Sequence, residues 1–328
     1  MLRDNHGRPV NYLRLAVIDK CNLRCYYCMP EQGLDWLSKD KLMSTTELLK
    51  VCNLFTNMGV TKIRITGGEP FVRKDMMEIF SKLSTFENLD ELSITTNGVL
   101  TSAYIPELKK LGIKSVNLSL DTVNRDRFFQ ITRRDELPAV LNTLEQLLHY
   151  GIQTKMNAVV MAGKNTDDII DLINFTKDLP VDLRFIEEMP FNGEGIHPNS
   201  IEWNHERILS EISNHFPEIQ KIKDPPFSTS SNYKIRGHKG LVGIIAAYTR
   251  SFCGTCNRLR ITPDGILKTC LYDGGVMNVR DLLRIGLSDD EIYTKIKSAL
   301  NTRPKDGFEA EKLRLENPVH ESMATIGG

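Results

Sequence analysis

The sequence predicts a partial (β/α)6 TIM-like barrel followed by a C-terminal extension of antiparallel strands. Three observations carry this. Short apolar runs alternate with helical periodicity as far as residue 190. The residues best suited to chemistry fall where those runs end. The pattern then changes to turn-linked strands.

The runs 13–18 (LRLAVI), 62–66 (KIRIT), 92–96 (LSITT), 116–120 (VNLSL), 154–161 (TKMNAVVM) and 182–189 (DLRFIEEM) read as strands. Helical periodicity fills the intervals at 45–58, 74–86, 103–111, 138–150 and 166–179. Ser44 and Thr45, with Glu47 close behind, are candidate caps of the first helix. Gly59, Gly112 and Gly151 follow helices, where a left-handed residue commonly ends one. Strand–helix alternation implies parallel strands with right-handed crossovers.

Cys21–Cys28 follows the first strand, GGEP (67–70) the second, TNG (96–98) the third and SLD (119–121) the fourth; Glu188 and Met189 close the sixth. Both barrels and open α/β sheets build sites at carboxyl ends of strands. So many motifs at one mouth favour the barrel. Beyond it, 191–200 reads as a loop, 203–215 as a helix and 224–232 (DPPFSTSSN) as a linker. Residues 233–237, 240–249 and 259–271 read as antiparallel strands, with Asp264-Gly265 as a hairpin turn, and 288–300 as a helix. The tail to Gly328 shows no obvious structure. The expected division is a barrel unit over 1–190 and a second unit over 191–328.

Bulk composition excludes more than it selects. The 328 residues carry 42 basic and 42 acidic side chains, so no global field favours nucleic acid or an anionic membrane. Hydrophobic residues are 41% and charged residues 26%, an ordinary globular balance. The opening MLRDNHGRPVNYLRLAV lacks an uninterrupted apolar stretch, and no run is long enough to span a bilayer. A cytoplasmic protein is expected, in which clustered cysteines read as metal ligands or catalytic groups.

Six of the seven cysteines form two triads, Cys21, Cys25 and Cys28 (C-x3-C-x2-C) and Cys253, Cys256 and Cys270. Structural metal sites are normally closed by four protein ligands, whereas working sites keep a position open. Each triad is one thiolate short, so each suggests a centre that binds something else. Spacing favours an iron–sulfur cluster for the first triad, with zinc as the alternative. The second triad fits a zinc site equally well, with His238 as a fourth ligand. Cys52 sits in a periodic helical run and reads as core.

With these motifs the chain resembles the radical S-adenosylmethionine superfamily. The evidence is C-x3-C-x2-C after a first strand, Tyr27 before the third Cys, and Gly67-Gly68-Glu69-Pro70 after the second strand. The runs RLAVIDKCNLRCYYCMP, KIRITGGEPFVRKD, ITTNG, VNLSLD, KMNAVV, RFIEEM, SFCGTCNRLRITPDG and the terminal IGG together resemble one family, the GTP 3′,8-cyclases of molybdenum cofactor biosynthesis. The resemblance covers essentially the whole chain in order.

It implies two [4Fe-4S] clusters and S-adenosyl-L-methionine as cofactors, and GTP as substrate. Cys21, Cys25 and Cys28 would hold the cluster that reduces S-adenosylmethionine. The resulting 5′-deoxyadenosyl radical would take the 3′ hydrogen of GTP, and the ribose would close onto C8 of guanine. The product is (8S)-3′,8-cyclo-7,8-dihydroguanosine 5′-triphosphate. Tyr27, Gly68, Ser119 and Met189 match the S-adenosylmethionine contacts. Gly68 also has a physical rationale, since a missing Cβ permits close approach to a ligand. Packing is the alternative for Tyr27 and Met189. Cys253, Cys256 and Cys270 would hold the second cluster, whose open iron binds guanine and makes the extension an iron–sulfur one.

Arg14, Arg64, Thr95, Lys155, Arg258, Leu259 and Arg260 match the GTP contacts. Residues two apart on a strand share a face, so Arg258 and Arg260 can point at one triphosphate; a solvated strand face is the alternative. Arg14 and Arg64 lie inside apolar runs, where a charge must be paired or face a ligand. No side chain is assigned as acid, base or nucleophile. Gly327-Gly328 matches the family's Gly-Gly tail, which reaches into the active site. Asn257 stands where the family usually has Thr. The resemblance further implies a homodimer, a flavodoxin-like or ferredoxin-like electron donor, and cyclic pyranopterin monophosphate synthase as recipient of the product. Peptide modification by the same radical chemistry and a non-catalytic metal-binding scaffold are the competing readings.

Overall fold

In the computed structural model, the described residues are 2–189, 191, 201–316 and 321–327. A short hairpin, Leu2–Arg3 with Pro9–Val10, precedes the frame. The frame is six parallel strands paired in chain order: β1 (Tyr12–Ala16), β2 (Lys62–Thr66), β3 (Glu91–Thr96), β4 (Ser115–Ser119), β5 (Gln153–Val160) and β6 (Val181–Glu187). All six expected strands are present. The crossovers carry α1 (Thr45–Asn57), α2 (Met76–Leu83), α3 (Ile105–Lys110), α4 (Arg125–Thr132), α5 (Leu137–His149) and α6 (Asp168–Thr176). Ser44 and Glu47 form a reciprocal capping box on α1. Helix α4 was not expected: it is short and charged, and buries only Phe128, Ile131 and Thr132.

Strand alternation sorts the frame into two faces. Along β5, Met156, Ala158 and Val160 are buried, while Lys155, Asn157 and Val159 are partly exposed to a central cavity. The outward apolar residues of β1–β3 pack with α1 and α2, around Leu15, Ile63, Ile65, Phe55 and Phe80. Those of β4–β6 pack with α4–α6 and α7 (His205–His215), around Leu118, Met156, Phe185 and Ile208. Cys52 is fully buried in the first of these cores, as expected.

The extension keeps the expected antiparallel hairpins and adds two pairings that the sequence did not announce. It contributes β7 (Gln220–Lys221), β8 (Ser231–Lys234), β9 (Val242–Ile245), β10 (Arg258–Ile261), β11 (Ile266–Lys268) and β12 (Met277–Asn278). Pairing within it is antiparallel, but β9 joins β6 in parallel and β10 joins β1 in parallel. The physical reason lies at the edges of the frame. Both present unpaired backbone groups that need partners once buried, and a strand reached by a long crossover can run parallel. The result is eight consecutive parallel strands, β10-β1-β2-β3-β4-β5-β6-β9, whose outer members are not paired with each other among the described residues. The barrel therefore stays open along one seam.

Apolar side chains from both sides fill that seam. Phe191, Tyr272, Ala310 and Ile326 form a third small core, with Met189, Leu271 and Met323 against it. Tyr272 donates its hydroxyl to Ala247 O, 3.0 Å away. The extension adds α8 (Val279–Arg284), α9 (Asp289–Leu300), α10 (Gly307–Glu316) and α11 (Met323–Ile326). The tail expected to lack structure thus supplies two helices. Gly328 and nearly all of the expected loop at 191–200 lie outside the described residues.

Candidate active site

Topology places the two thiol triads at opposite ends of one cavity. The first triad lies beyond the carboxyl end of β1. Cys253 and Cys256 precede β10, which runs parallel to β1, so they lie at the amino end. Cys270 follows β11, antiparallel to β10, and so lies at that same end. All six line a single cavity of about 580 Å³, a volume typical of small-molecule sites.

Backbone contacts hold the first triad's loop. Cys25 O accepts from the N–H groups of Cys28 and Met29, both at 3.0 Å, and Thr132 O accepts from Arg24 N at 2.9 Å. Gly68 N donates to Ile18 O (2.8 Å) and Glu69 N to Lys20 O (2.9 Å). A Cβ on Gly68 would lie 2.4 Å from the carbonyl oxygens of Asp19 and Lys20. The cysteine loop itself therefore leaves no room for a side chain at position 68. Gly68→Ala is expected to displace that loop and lower the thermal midpoint by several degrees, since backbone cannot yield as a side-chain tip can; differential scanning fluorimetry reads this.

The Glu69 carboxylate is buried and accepts from Asn97 N (2.7 Å), Phe71 N (3.2 Å) and Thr96 Oγ1 (2.9 Å). Burial still pushes it up to about 7. Asn97 Nδ2 reaches Cys21 Sγ at 3.5 Å. Tyr27 donates its hydroxyl to Asp121 Oδ2 at 2.9 Å, and burial raises Asp121 to about 6. Tyr27, Gly68, Ser119 and Met189 all line the cavity. The tail closes this end. Ser322 donates its hydroxyl to Cys28 O, and Gly327 O accepts from Arg260 Nη1 at 2.6 Å.

Between the ends the walls are cationic. Strand register aligns Arg260, Arg14 and Arg64 across β10, β1 and β2, and pairs Asn117 with Lys155 and Asn157 with Arg184. All seven line the cavity. Among the described residues no carboxylate lies within ion-pair distance of Arg64, Lys155, Arg258 or Arg260, which sets aside structural ion pairing for these four. Arg64 Nε instead donates to the Tyr12 hydroxyl at 2.6 Å. Burial, then the neighbouring Arg258, lowers Arg260 to about 10. Burial and Arg260 hold Arg14 well below its ordinary value. Buried polar atoms without a hydrogen-bond partner also line this stretch: Thr95 Oγ1, Asn117 Oδ1, Asn157 Oδ1 and Arg184 Nε. Such groups call for a polar ligand.

At the amino end, Arg8 Nη1 donates to Cys253 O (3.1 Å), and Arg303 Nη2 lies 3.6 Å from Cys256 Sγ. Asp4 holds both guanidiniums, at 2.6 Å from Arg8 Nε and 3.1 Å from Arg303 Nη1. Burial opposes ionisation of Cys256, but Arg258 and Arg303 outweigh it and lower the thiol to about 6. Burial pushes Cys21 up to about 12 and Cys28 to about 11, and raises Cys25 well above its ordinary value. Bound metal would reverse this, because a coordinating thiol is deprotonated outright. Among the described residues, no three His, Cys, Asp or Glu side chains close to single-ion distance. The all-thiol donor sets suit an iron–sulfur unit.

Two expected residues are not brought to the cavity. His238 packs edge-on against Phe216, with ring centroids 5.6 Å apart, and does not line the cavity, so it is no fourth ligand to the second triad. The Leu259 side chain is fully buried in the core behind β10, which leaves only its backbone for a ligand. Conversely, Arg184, Asn117, Asn157, Arg8 and Arg303 escaped the sequence reading. Arg184 carried the signal already used for Arg14 and Arg64, a cation inside an apolar run.

Comparison with known proteins decides the family. The profile described as the Radical SAM superfamily matches residues 15–176, and that described as Molybdenum Cofactor Synthesis C matches 181–309. A Clostridium perfringens protein named GTP 3′,8-cyclase is 38% identical over 329 residues, which is 100% of both chains. The chain belongs to the GTP 3′,8-cyclase family. The mitochondrial GTP 3′,8-cyclase of Arabidopsis thaliana is 39% identical over 335 residues, 100% of this chain and 84% of its own. Molybdenum cofactor biosynthesis protein 1 of Drosophila melanogaster is 39% identical over 97% of this chain but only 56% of its own. The chain thus spans about half the length of that longer relative. Among solved structures, Streptococcus suis SuiB bound to S-adenosylmethionine has a TM-score of 0.62 at 17% identity, covering 89% of this chain and 68% of that one. AdoMet-bound anSMEcpe has 0.56 at 16%, covering 86% and 79%. At such identities the likeness establishes the fold, a partial barrel. Family membership assigns S-adenosylmethionine and an iron–sulfur cluster to this site.

Proposed function

We propose that this chain cyclises GTP to (8S)-3′,8-cyclo-7,8-dihydroguanosine 5′-triphosphate, the first step of molybdenum cofactor biosynthesis. One observation carries the reading: a cavity lined with cations has a three-thiol set at each end. Cys21, Cys25 and Cys28 would hold one [4Fe-4S] cluster and Cys253, Cys256 and Cys270 a second. When bound, the first cluster and S-adenosylmethionine supply a hydrogen-abstracting radical.

The chain's own residues do the rest. The GGEP loop, Tyr27, Ser119 and Met189 shape the methionine end of the cavity. Arg14, Arg64, Lys155, Arg258 and Arg260 neutralise the triphosphate, Thr95 offers it a hydroxyl, and Leu259 contributes backbone only. The Arg260–Gly327 contact and the seam core keep water and stray hydrogen donors from the ribose, which a radical reaction demands. Residues 1–190 serve the cofactor, and 191–328 the base of the nucleotide and the tail. A homodimer, a one-electron donor of flavodoxin or ferredoxin type, cytoplasmic location and hand-over to cyclic pyranopterin monophosphate synthase complete the reading. No described helix is long and apolar enough to cross a membrane.

The test is anaerobic. After reconstitution with iron and sulfide, dithionite and S-adenosylmethionine should yield 5′-deoxyadenosine faster with GTP than without, and an isomer of GTP should appear by mass spectrometry. 5′-Deoxyadenosine formation that leaves GTP untouched would refute the substrate.

Affinity for GTP should also depend on pH. Lys155 is lowered to about 8 by burial, with Arg184 and Arg64 adding to it. Below that pH the ammonium is charged and available to phosphate. Above it, binding must take up a proton, so affinity should fall toward about tenfold per pH unit. Titration calorimetry should show this slope in the parent chain and its loss in Lys155→Met.

A further inference from the structure

The segment expected to be a linker, DPPFSTSSN, does not merely connect. Pro225, Pro226, Phe227, Ser228 and Thr229 line the same cavity as the two triads. A tight turn forms its tip, closed by Ser228 N–H to Pro225 O at 3.1 Å. Pro226 takes the second position and Phe227 the third, at φ +61°. Proline suits the second position of a type II turn, and the third calls for glycine or asparagine. A bulky residue there is an outlier that persists only when its surroundings enforce it.

The surroundings do enforce it. At the base, Asp224 Oδ1 accepts from Asn232 N (2.8 Å) and Asn232 Nδ2 (2.9 Å). On the far side of the tip, Ser228 Oγ donates to Ser230 O at 2.8 Å and accepts from Ser230 N at 3.2 Å. The ring at the tip has no such anchor: Phe227 remains 43% exposed, although it faces a cavity. A strained backbone thus presents a large, half-exposed apolar ring to the cavity that also holds the cations and unpaired amides. Packing in the free protein does not explain it, because the ring is left half in water.

We propose that Phe227 is a positioning residue, a rigid flap tip that covers the bound nucleotide and shields its ribose from bulk water. This rests on the GTP-cyclising reading. The ring would gain its burial only on binding, so it contributes to GTP affinity and to coupling, the yield of cyclised product per 5′-deoxyadenosine formed. Phe227→Gly removes ring and strain together. Phe227→Ala removes the ring and keeps the strain. Phe227→Tyr keeps both.

The experiment compares these three variants with the parent enzyme, all reconstituted anaerobically. It measures GTP dissociation constants by calorimetry, the ratio of 5′-deoxyadenosine to cyclised product, and thermal midpoints. Phe227→Gly and Phe227→Ala should each weaken GTP binding about five- to tenfold and raise that ratio at least twofold. Phe227→Tyr should restore both. Phe227→Gly should melt no lower than the parent, which separates the loss from damage to the fold. Parent-like affinity and ratio in the Gly and Ala variants, beside an active parent, would overturn the flap role alone. A parent that leaves GTP untouched would remove the cyclase reading and the flap role with it.

Discussion

Replacing Cys25 with Ala is expected to reduce 5′-deoxyadenosine formation to background and to remove about half of the protein-bound iron, since one of the two proposed four-iron units would lose a ligand. The loss should be chemical and not structural. The turn that carries Cys25 is closed through its carbonyl, which accepts from Cys28 N and Met29 N, and Ala keeps that carbonyl. Cys253, Cys256 and Cys270 lie at the other end of the cavity and should still bind iron. Iron analysis with an anaerobic product assay checks both halves. A variant that cleaves S-adenosylmethionine at the parent rate would remove Cys25 from the site. One that loses all iron would show that the two centres assemble together.

The double replacement Arg258→Ala, Arg260→Ala should have the second large effect, on substrate affinity. Hydrogen bonds to charged groups contribute about 1.5–3 kcal/mol each, so losing two should raise the GTP dissociation constant roughly 10²- to 10⁴-fold. Stability of the free protein should move differently. Burial and Arg258 hold Arg260 down to about 10, so in the absence of an anion it is an unfavourably placed charge. Removing it should cost the free protein little, apart from the contact with Gly327 O. The double variant should therefore melt near the parent without nucleotide and lose the stabilisation that GTP gives the parent. Equal destabilisation with and without GTP would instead mark the pair as structural.

Much of this was legible in the sequence because parallel strands in a barrel write a two-residue period. Arg258 and Arg260, two apart, do face one cavity, and Arg14 and Arg64 sit where a lone cation inside an apolar run must have a polar destination. Arg184 obeyed the same rule and went unread. Other features had no local pattern. Arg8 and Arg303 reach the second triad through Asp4, a contact between chain ends that no spacing announces. Helices α10 and α11 escaped because their order comes from the seam core. The joining of β9 and β10 to the frame was not legible, because hairpin signals report a strand's nearest neighbour, whereas direction against the frame is set by crossover. Gly68 was read as an opening for a ligand, and the carbonyls of Asp19 and Lys20 add a constraint that the sequence did not show.

The pairing of β10 with β1 also has a consequence for synthesis. A ribosome delivers β1 and the first three thiols early, yet one flank of β1 has no partner until residues 258–261 have emerged. Through most of translation the nascent chain carries a naked parallel edge beside reactive sulfur. Bare edges invite pairing with other chains. The protein should thus be most prone to aggregation and oxidation while unfinished, and expression at lower temperature or slower translation should raise soluble yield more than any change to the finished surface.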